Sequence, residues 1–178
     1  TQAEGDCAHS EGRETKALEE GSHSEGIKSE SSGKGAHSEG SGSKAKGIAS
    51  HAEGNATEAE GDYSHAEGNA TKAIGNNAHA AGRGTIANNY ASTAMGQYNK
   101  MTLASSTTYT ATADAFVLGN GTSEEALSNA FRVTFDGTTY GVGAFNTTGA
   151  DYAEYFEWLD GNLNDEDRVG FVVTLEGN

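Results

Sequence analysis

Large apolar side chains do not recur along the first hundred residues with the period of an amphipathic helix. Small and polar residues recur instead, every 14 positions. Stepping by 14 meets His9, His23, His37, His51, His65 and His79 in strict register. Three residues after each lies a glycine: Gly12, Gly26, Gly40, Gly54, Gly68 and Gly82. Gly96 keeps the step after Thr93 has replaced the histidine. Half a repeat later comes a second row, Gly33, Gly47, Gly61 and Gly75, with Glu19 and Asn89 at its two ends. Two places before that row run Ala17, Ser31, Ala45, Ala59, Ala73 and Ala87, and just before the histidines run Ser22, Ala36, Ser50, Ser64 and Ala78. The consensus is H-[SA]-E-G-x-x-[ST]-x-A-x-G-x-x-[SA].

Two glycine turns in 14 residues leave two very short extended segments per repeat. That is too little for a pair of helices and suits one coil of a β-solenoid. Alternation along a strand sets Ser10, Ser24, Ser38, Ala52, Ala66, Ala80 and Ala94 on the face opposite His and Glu. A face of Ser and Ala can line only a very narrow interior, with successive coils about 4.8 Å apart. Burying an Ala methyl returns well under the roughly 1.5–3 kcal/mol of a buried Leu or Val, while ordering each residue costs on the order of 1–2 kcal/mol. A single roll of this kind is expected to need identical chains packed along it.

Composition divides the chain. Val, Ile, Leu, Met, Phe, Tyr and Trp number 9 in residues 1–100 and 24 in residues 101–178. A conventional core is therefore expected only in the second part. Residues 97–128 read as a connector, with a Thr/Ser-rich stretch from Thr102 to Thr112 and a short strand and turn at 115–123. Residues 129–135 alternate like a half-buried strand, Asp136-Gly137 is a hairpin-type turn, and 138–142 answers it. These strands are expected to carry the register of the roll onward. The formal net charge of −15 excludes a basic nucleic-acid face and attraction to an anionic membrane. No apolar run approaches the 18 or so residues of a membrane span. The single cysteine, Cys7, forms neither an internal disulfide nor a structural zinc site.

The rows of residues 1–100 resemble the head repeats of trimeric autotransporter adhesins. That resemblance implies an all-β fold, a left-handed parallel β-roll in a homotrimer. It also implies that the strand before the glycine faces neighbouring subunits. The adhesin motif usually carries apolar residues on that strand, whereas this chain has His and Glu, as in His51-Ala52-Glu53-Gly54. The seam would then be a stacked His/Glu ladder. The reading preferred here is structural, each imidazole bonding a Glu or backbone group of its own or a neighbouring chain, with no metal and no cofactor assigned. Capture of a metal or an anion by the repeated His and Glu is the alternative. Closely spaced histidines would repel once protonated, so the melting temperature of a trimer is expected to fall between about pH 7 and 5.

The last segment carries a second resemblance. Residues 149–158, G-A-D-Y-A-E-Y-F-E-W, followed by Asp160-Gly161-Asn162 and by 166–175, resemble the peptidase G2 family. Its members are C-terminal intramolecular chaperone domains of phage neck appendages and related fibre proteins. The resemblance covers roughly residues 129–178 and implies trimer assembly followed by self-cleavage. The family domain normally continues past the strand ending at Gly177-Asn178, and Ala3-Glu4-Gly5 already runs near the repeat pattern, so further sequence is expected on both sides. The expected division is a β-roll over 1–100, a connector over 101–128 and a partial peptidase G2-like domain over 129–178.

Asp151, Glu154 and Glu157 are spaced three apart, and crowded carboxylates push one another's pKa values apart into an acid and a base. Asp151 with Glu154 is the pair taken as functional, able to activate a water or a hydroxyl against a nearby peptide bond. The family's cleavage near this motif implies a bond around Thr147-Thr148-Gly149, with Thr148 as the candidate nucleophile. Glu157 is assigned to a solvated or subunit-bridging cluster, Arg168 to an ion pair with one of these acids, and Tyr152, Tyr155, Phe156 and Trp158 to packing. The overall expectation is a homotrimeric fibre on a virion or bacterial surface. Its partner would be a host cell-surface receptor, a glycan or envelope polymer, with neither nucleic acid nor membrane as partner. Autoproteolysis is the competing primary activity. A weaker third reading is an ice- or crystal-binding face on the row Thr15, Thr57, Thr71 and Thr85, which Ser29 and Ser43 interrupt.

Overall fold

The structure, a computed structural model, describes residues 1–102 and 104–143. These belong to the first of two units, Thr1–Ala144, into which the chain divides. Each 14-residue repeat forms one coil and contributes one strand to each of two parallel sheets. The first coils supply β1 (Gln2–Ala3), β2 (His9–Ser10), β3 (Lys16–Ala17), β4 (His23–Ser24), β5 (Glu30–Ser31), β6 (His37–Ser41) and β7 (Lys44–Ala45). The later ones supply β8 (His51–Asn55), β9 (Glu58–Ala59), β10 (His65–Asn69), β11 (Lys72–Ala73), β12 (His79–Arg83), β13 (Ile86–Ala87) and β14 (Thr93–Gln97). They are followed by β15 (Asp114–Asn120), β16 (Asn129–Thr134) and β17 (Thr139–Gly141). Odd strands β1 to β13 form a seven-stranded sheet, and even strands β2 to β14 followed by β15, β16 and β17 form a ten-stranded one. The expected all-β parallel solenoid is thus observed, with about seven coils.

Pairing is in register to the residue: His65 stands opposite His51 and His79, and Gly68 opposite Gly54 and Gly82. The interior is as narrow as the sequence predicts. Ala17, Ala45, Ala59 and Ala73 from one sheet and Ala52, Ala66, Ala80, Ser24 and Ser38 from the other are wholly buried. The Thr row is buried with them, Thr15, Thr57, Thr71 and Thr85 being at most 1% exposed, which removes the surface-binding reading of that row. The turn after each glycine of the Gly12 row swings this residue inward. Thr71 and Thr85 donate to Glu67 O and Ala81 O, each at 3.1 Å, and so satisfy carbonyls within the corner. Ser50 and Ser64 close the other corner by donating to Gly47 O and Gly61 O at 2.8 and 2.6 Å.

Two glycine rows allow coils to stack this closely. At Gly54, with φ 111°, a β-carbon would lie 2.2 Å from Gly68 O. Gly35 occupies a different corner, at φ 65° with open space around it, and the equivalent residue one coil later is Ala49 at φ 50°.

Residues 97–128 end the repeat without breaking the ten-stranded sheet. The strand expected at 115–123 is β15, paired parallel to β14 with Val117 on Ala94 and Gly119 on Gly96. It therefore continues both the interior row and the glycine row. The predicted hairpin over 129–142 forms as β16 and β17, antiparallel to each other. Side-chain amides close the loose backbone ends. Ile86 N–H donates to Asn99 Oδ1 at 2.7 Å, and Asn99 Nδ2 donates to Ile86 O at 3.0 Å, standing in for a further strand beside β13. Asn129 clamps Lys100 in the same way, at 2.8 and 2.7 Å.

Gly54→Ala combines backbone strain with a collision against the next coil and is expected to cost at least about 3 kcal/mol. Gly35→Ala adds only a tolerable left-handed residue and is expected to cost about 1 kcal/mol. Urea unfolding followed by circular dichroism distinguishes them, and equal costs would contradict the close-contact account.

Candidate functional site

On the ten-stranded sheet, alternation turns each Ala or Ser inward and the flanking His and Glu outward. In-register pairing then stacks like on like. The rings of His23, His37, His51, His65 and His79 form a continuous column, with neighbouring centroids 4.6–4.9 Å apart and planes within 2–4° of parallel. His9, at the first coil, is tilted by 69° to His23. The structure therefore brings all six predicted ladder residues together. Beside the column runs a groove of about 840 Å³, walled by Glu11, Glu25, Glu39, Glu53 and Glu67 and floored by the glycines that follow them.

Within the single chain, these imidazoles make few hydrogen bonds. Nε2 of His23, His37, His51, His65 and His79 is buried with no hydrogen-bond partner. Two of these atoms do approach a carboxylate of the preceding coil, His65 to Glu53 and His79 to Glu67, each at 3.4 Å. The separation suits an ion pair if the ring is protonated, but the direction is wrong for a hydrogen bond. Burial chiefly, and then the neighbouring rings of His51 and His23, push the His37 pKa below its ordinary 6.5. Glu39 and Glu25 oppose that shift only in part.

The opposite sheet handles charge differently. Lys16, Glu30, Lys44, Glu58 and Lys72 fall in one row, so in-register stacking sets opposite charges beside each other. Lys16 meets Glu30 at 3.3 Å, and Lys46 meets Glu58 at 2.8 Å and Glu60 at 3.1 Å. The hydrogen bond from Lys46 lowers the Glu58 pKa to about 2, with Lys72 assisting. Among the described residues, no Lys or Arg forms an ion pair with a groove carboxylate.

Thr148, Asp151 and Glu154, with Glu157 and Arg168, lie outside the described residues. Arg132, the other basic residue after position 100, donates to the buried Asp114 at 2.8 Å and lies 3.6 Å from the Tyr140 ring centroid. Thr102 donates to the same carboxylate. Sequence reasoning did not single out this cluster, because Asp114, Arg132 and Tyr140 meet only through the pairing of β15 with β16 and β16 with β17.

This architecture is a β-solenoid, a stack of near-identical coils joined to a non-repeating end. Residues 99–178 match the family model described as Peptidase_G2, IMC autoproteolytic cleavage domain. The match takes in the turn region after Tyr98 and all of β15, β16 and β17. Together with the β-solenoid, it fits a fibre-type protein that carries a self-cleaving chaperone domain. No curated protein and no solved structure matches the chain.

On the acid side, stability depends on the protonation of His37 within the column. His37 binds a proton less readily when folded than when unfolded, so its contribution is complete above about pH 6.5 and is lost as the pH falls below that value. Glu58 is shifted in the same direction but from a lower starting point, so its contribution persists until the pH falls below about 4.5 toward 2. The melting temperature is expected to be level from pH 8 to 7 and to fall from pH 7 to 5.5. A rise over that interval would mean that attraction to Glu25 and Glu39 outweighs burial and ring repulsion.

Proposed function

We propose that the chain is part of a homotrimeric fibre or appendage, exposed on a virion or a bacterial surface, that presents a receptor-binding surface to a host envelope. Its C-terminal domain would assist trimer formation and then cut itself off. The observation that carries this reading is the direct continuity of the roll with the region matched to the peptidase G2 family: β15 stacks on β14 in the register of the repeat. The thin Ala/Ser interior supports assembly, since a roll with so little apolar burial gains most from identical neighbours. In such an assembly the roll is left-handed, as in the adhesin heads it resembles, and the His/Glu face lies toward the other chains. The receptor would be a glycan or envelope polymer bound on the remaining outer surface.

Self-cleavage is assigned to Asp151 and Glu154, one acting as base and the other as acid, with the Thr148 hydroxyl or a water attacking a bond in the 147–149 stretch. As the alternative primary activity, autoproteolysis is favoured specifically by the family match over residues 99–178.

Light scattering on a sizing column is expected to give a native mass near three times 18.3 kDa. A folded monomer would overturn the fibre reading. Denatured mass spectrometry of the full-length protein is expected to show a break within the 147–149 stretch, just before Asp151. Asp151→Asn should abolish that break and Glu157→Gln should leave it, whereas an intact chain after days at 37 °C would leave only the structural role.

A further inference from the structure

We infer that the His/Glu groove is a binding site for transition-metal dications of the zinc class, each held by one imidazole and two carboxylates drawn from successive coils. In each of the sets Glu25/His37/Glu39, Glu39/His51/Glu53 and Glu53/His65/Glu67, the ligand atoms lie within 4.8 Å of one another. The inference concerns this chain's own side chains.

Three further observations support it. The first is the column of orphaned atoms. Nε2 of His37, His51 and His65 is buried and makes no hydrogen bond, coil after coil, although a carboxylate of the preceding coil belongs to each set. An unprotonated Nε2 facing carboxylate oxygens opposes acceptor to acceptor, and a cation between them resolves the conflict. The second is distance. Zinc bonds of about 2.0–2.1 Å to nitrogen and oxygen place tetrahedral ligands about 3.3–3.4 Å apart. His65 Nε2 and Glu53 Oε1 are 3.4 Å apart, poorly aligned for a hydrogen bond but matching an edge of that tetrahedron. The third is charge. One neutral imidazole with two carboxylates carries −2, which a dication balances, and no Lys or Arg among the described residues pairs with these acids. A mixed nitrogen and oxygen set prefers Zn²⁺, Co²⁺ or Ni²⁺ to Mg²⁺ or Ca²⁺.

The repeat also sets the stoichiometry. The middle set shares Glu39 with one neighbour and Glu53 with the other, so only the outer two fill without sharing a ligand. They lie two coils apart, about 9.6 Å at the ordinary strand spacing. The expected uptake is two tight ions per chain. The set His9/Glu11/His23 is the weakest site, since His9 and Glu11 are exposed and the His9 ring is turned out of the stack.

Isothermal titration of the chelator-stripped chain with Zn²⁺ at pH 7.5, and with Mg²⁺ in parallel, tests the inference. Two tight Zn²⁺ per chain are expected, at least tenfold tighter than Mg²⁺. The double variant His37→Gln/His65→Gln should weaken uptake at least tenfold. Glu30→Gln/Glu58→Gln, on the opposite sheet, should leave it unchanged. Equal Zn²⁺ and Mg²⁺ affinity, or full Zn²⁺ uptake by the histidine variant, would reduce the effect to diffuse attraction by an acidic surface and overturn the site. If the histidine variant fails to fold, Co²⁺ absorption of the unmodified chain decides. Strong visible bands of a four-coordinate ion support the site, and only the weak bands of hydrated Co²⁺ overturn it.

Discussion

At Gly12, Gly26, Gly40, Gly54, Gly68, Gly82 and Gly96, the backbone of one coil lies so near the next that any β-carbon would fall 2.1–2.4 Å from a carbonyl oxygen. The second row, Gly33, Gly47, Gly61 and Gly75, is as tight, at 2.0–2.1 Å. With backbone against backbone at two corners, the space between the sheets admits nothing larger than Ala, Ser or Thr along most of the roll. Hydrophobic burial per residue is then small, and order rests on backbone hydrogen bonds passed from coil to coil. Polar groups inside such a tube must be satisfied locally. Ser24, Ser31 and Ser38 bond one another or a nearby carbonyl within it, Ser31 to Ser38 at 2.8 Å.

Exact 14-residue stacking has a second consequence: whatever stands at one position of the repeat stands over its own kind. The two outer faces meet this constraint in opposite ways. Where Lys and Glu alternate from coil to coil, like stacking becomes complementary pairing, as in the step from Lys16 to Glu30 to Lys44. Where His and Glu repeat without alternation, the rings stack with each other and the acids line one groove. Like charges in register destabilise a sheet, so this face retains an electrostatic deficit. Neutral imidazoles, metal ions or partner chains can each offset it.

The repeat was legible because every row is a spatial column; the period in the sequence and the stacking in space are the same fact. The inward Ala17 and Ala52 rows followed from alternation alone. Alternation says nothing about corners, which is why the Thr15 row, three residues beyond a glycine turn, read as surface and is interior. Gly119 and Val117 belong to the glycine and interior rows, but the excursion of residues 98–113 hides their phase from any count by 14. Hydrogen-bond failure at His Nε2 was equally invisible, because it depends on carboxylate direction across coils and not on residue type. The pairing of Asp114 with Arg132 needed the fold of the hairpin. Asp151 and Glu154 rest on resemblance and on the family match, since they lie outside the described residues.

A stack of near-identical coils has a register problem that the coils themselves cannot solve. Sliding one chain, or one half of the roll, by 14 residues returns nearly every contact to an equivalent one, so the energy gap against the slipped form is small. Specificity must come from positions that do not repeat. Asn99 closes the seven-stranded sheet with two hydrogen bonds to Ile86, one accepted from its N–H and one donated to its carbonyl. Val117 fills the interior where every earlier coil has Ala or Ser, and Arg132 reaches the buried Asp114 only when β16 sits beside β15. All of these belong to the last turn of the roll, where the match to the chaperone family begins. Once that end is seated, each preceding coil has one place to pair, and the weak preference of a single coil becomes the defined register of the whole stack.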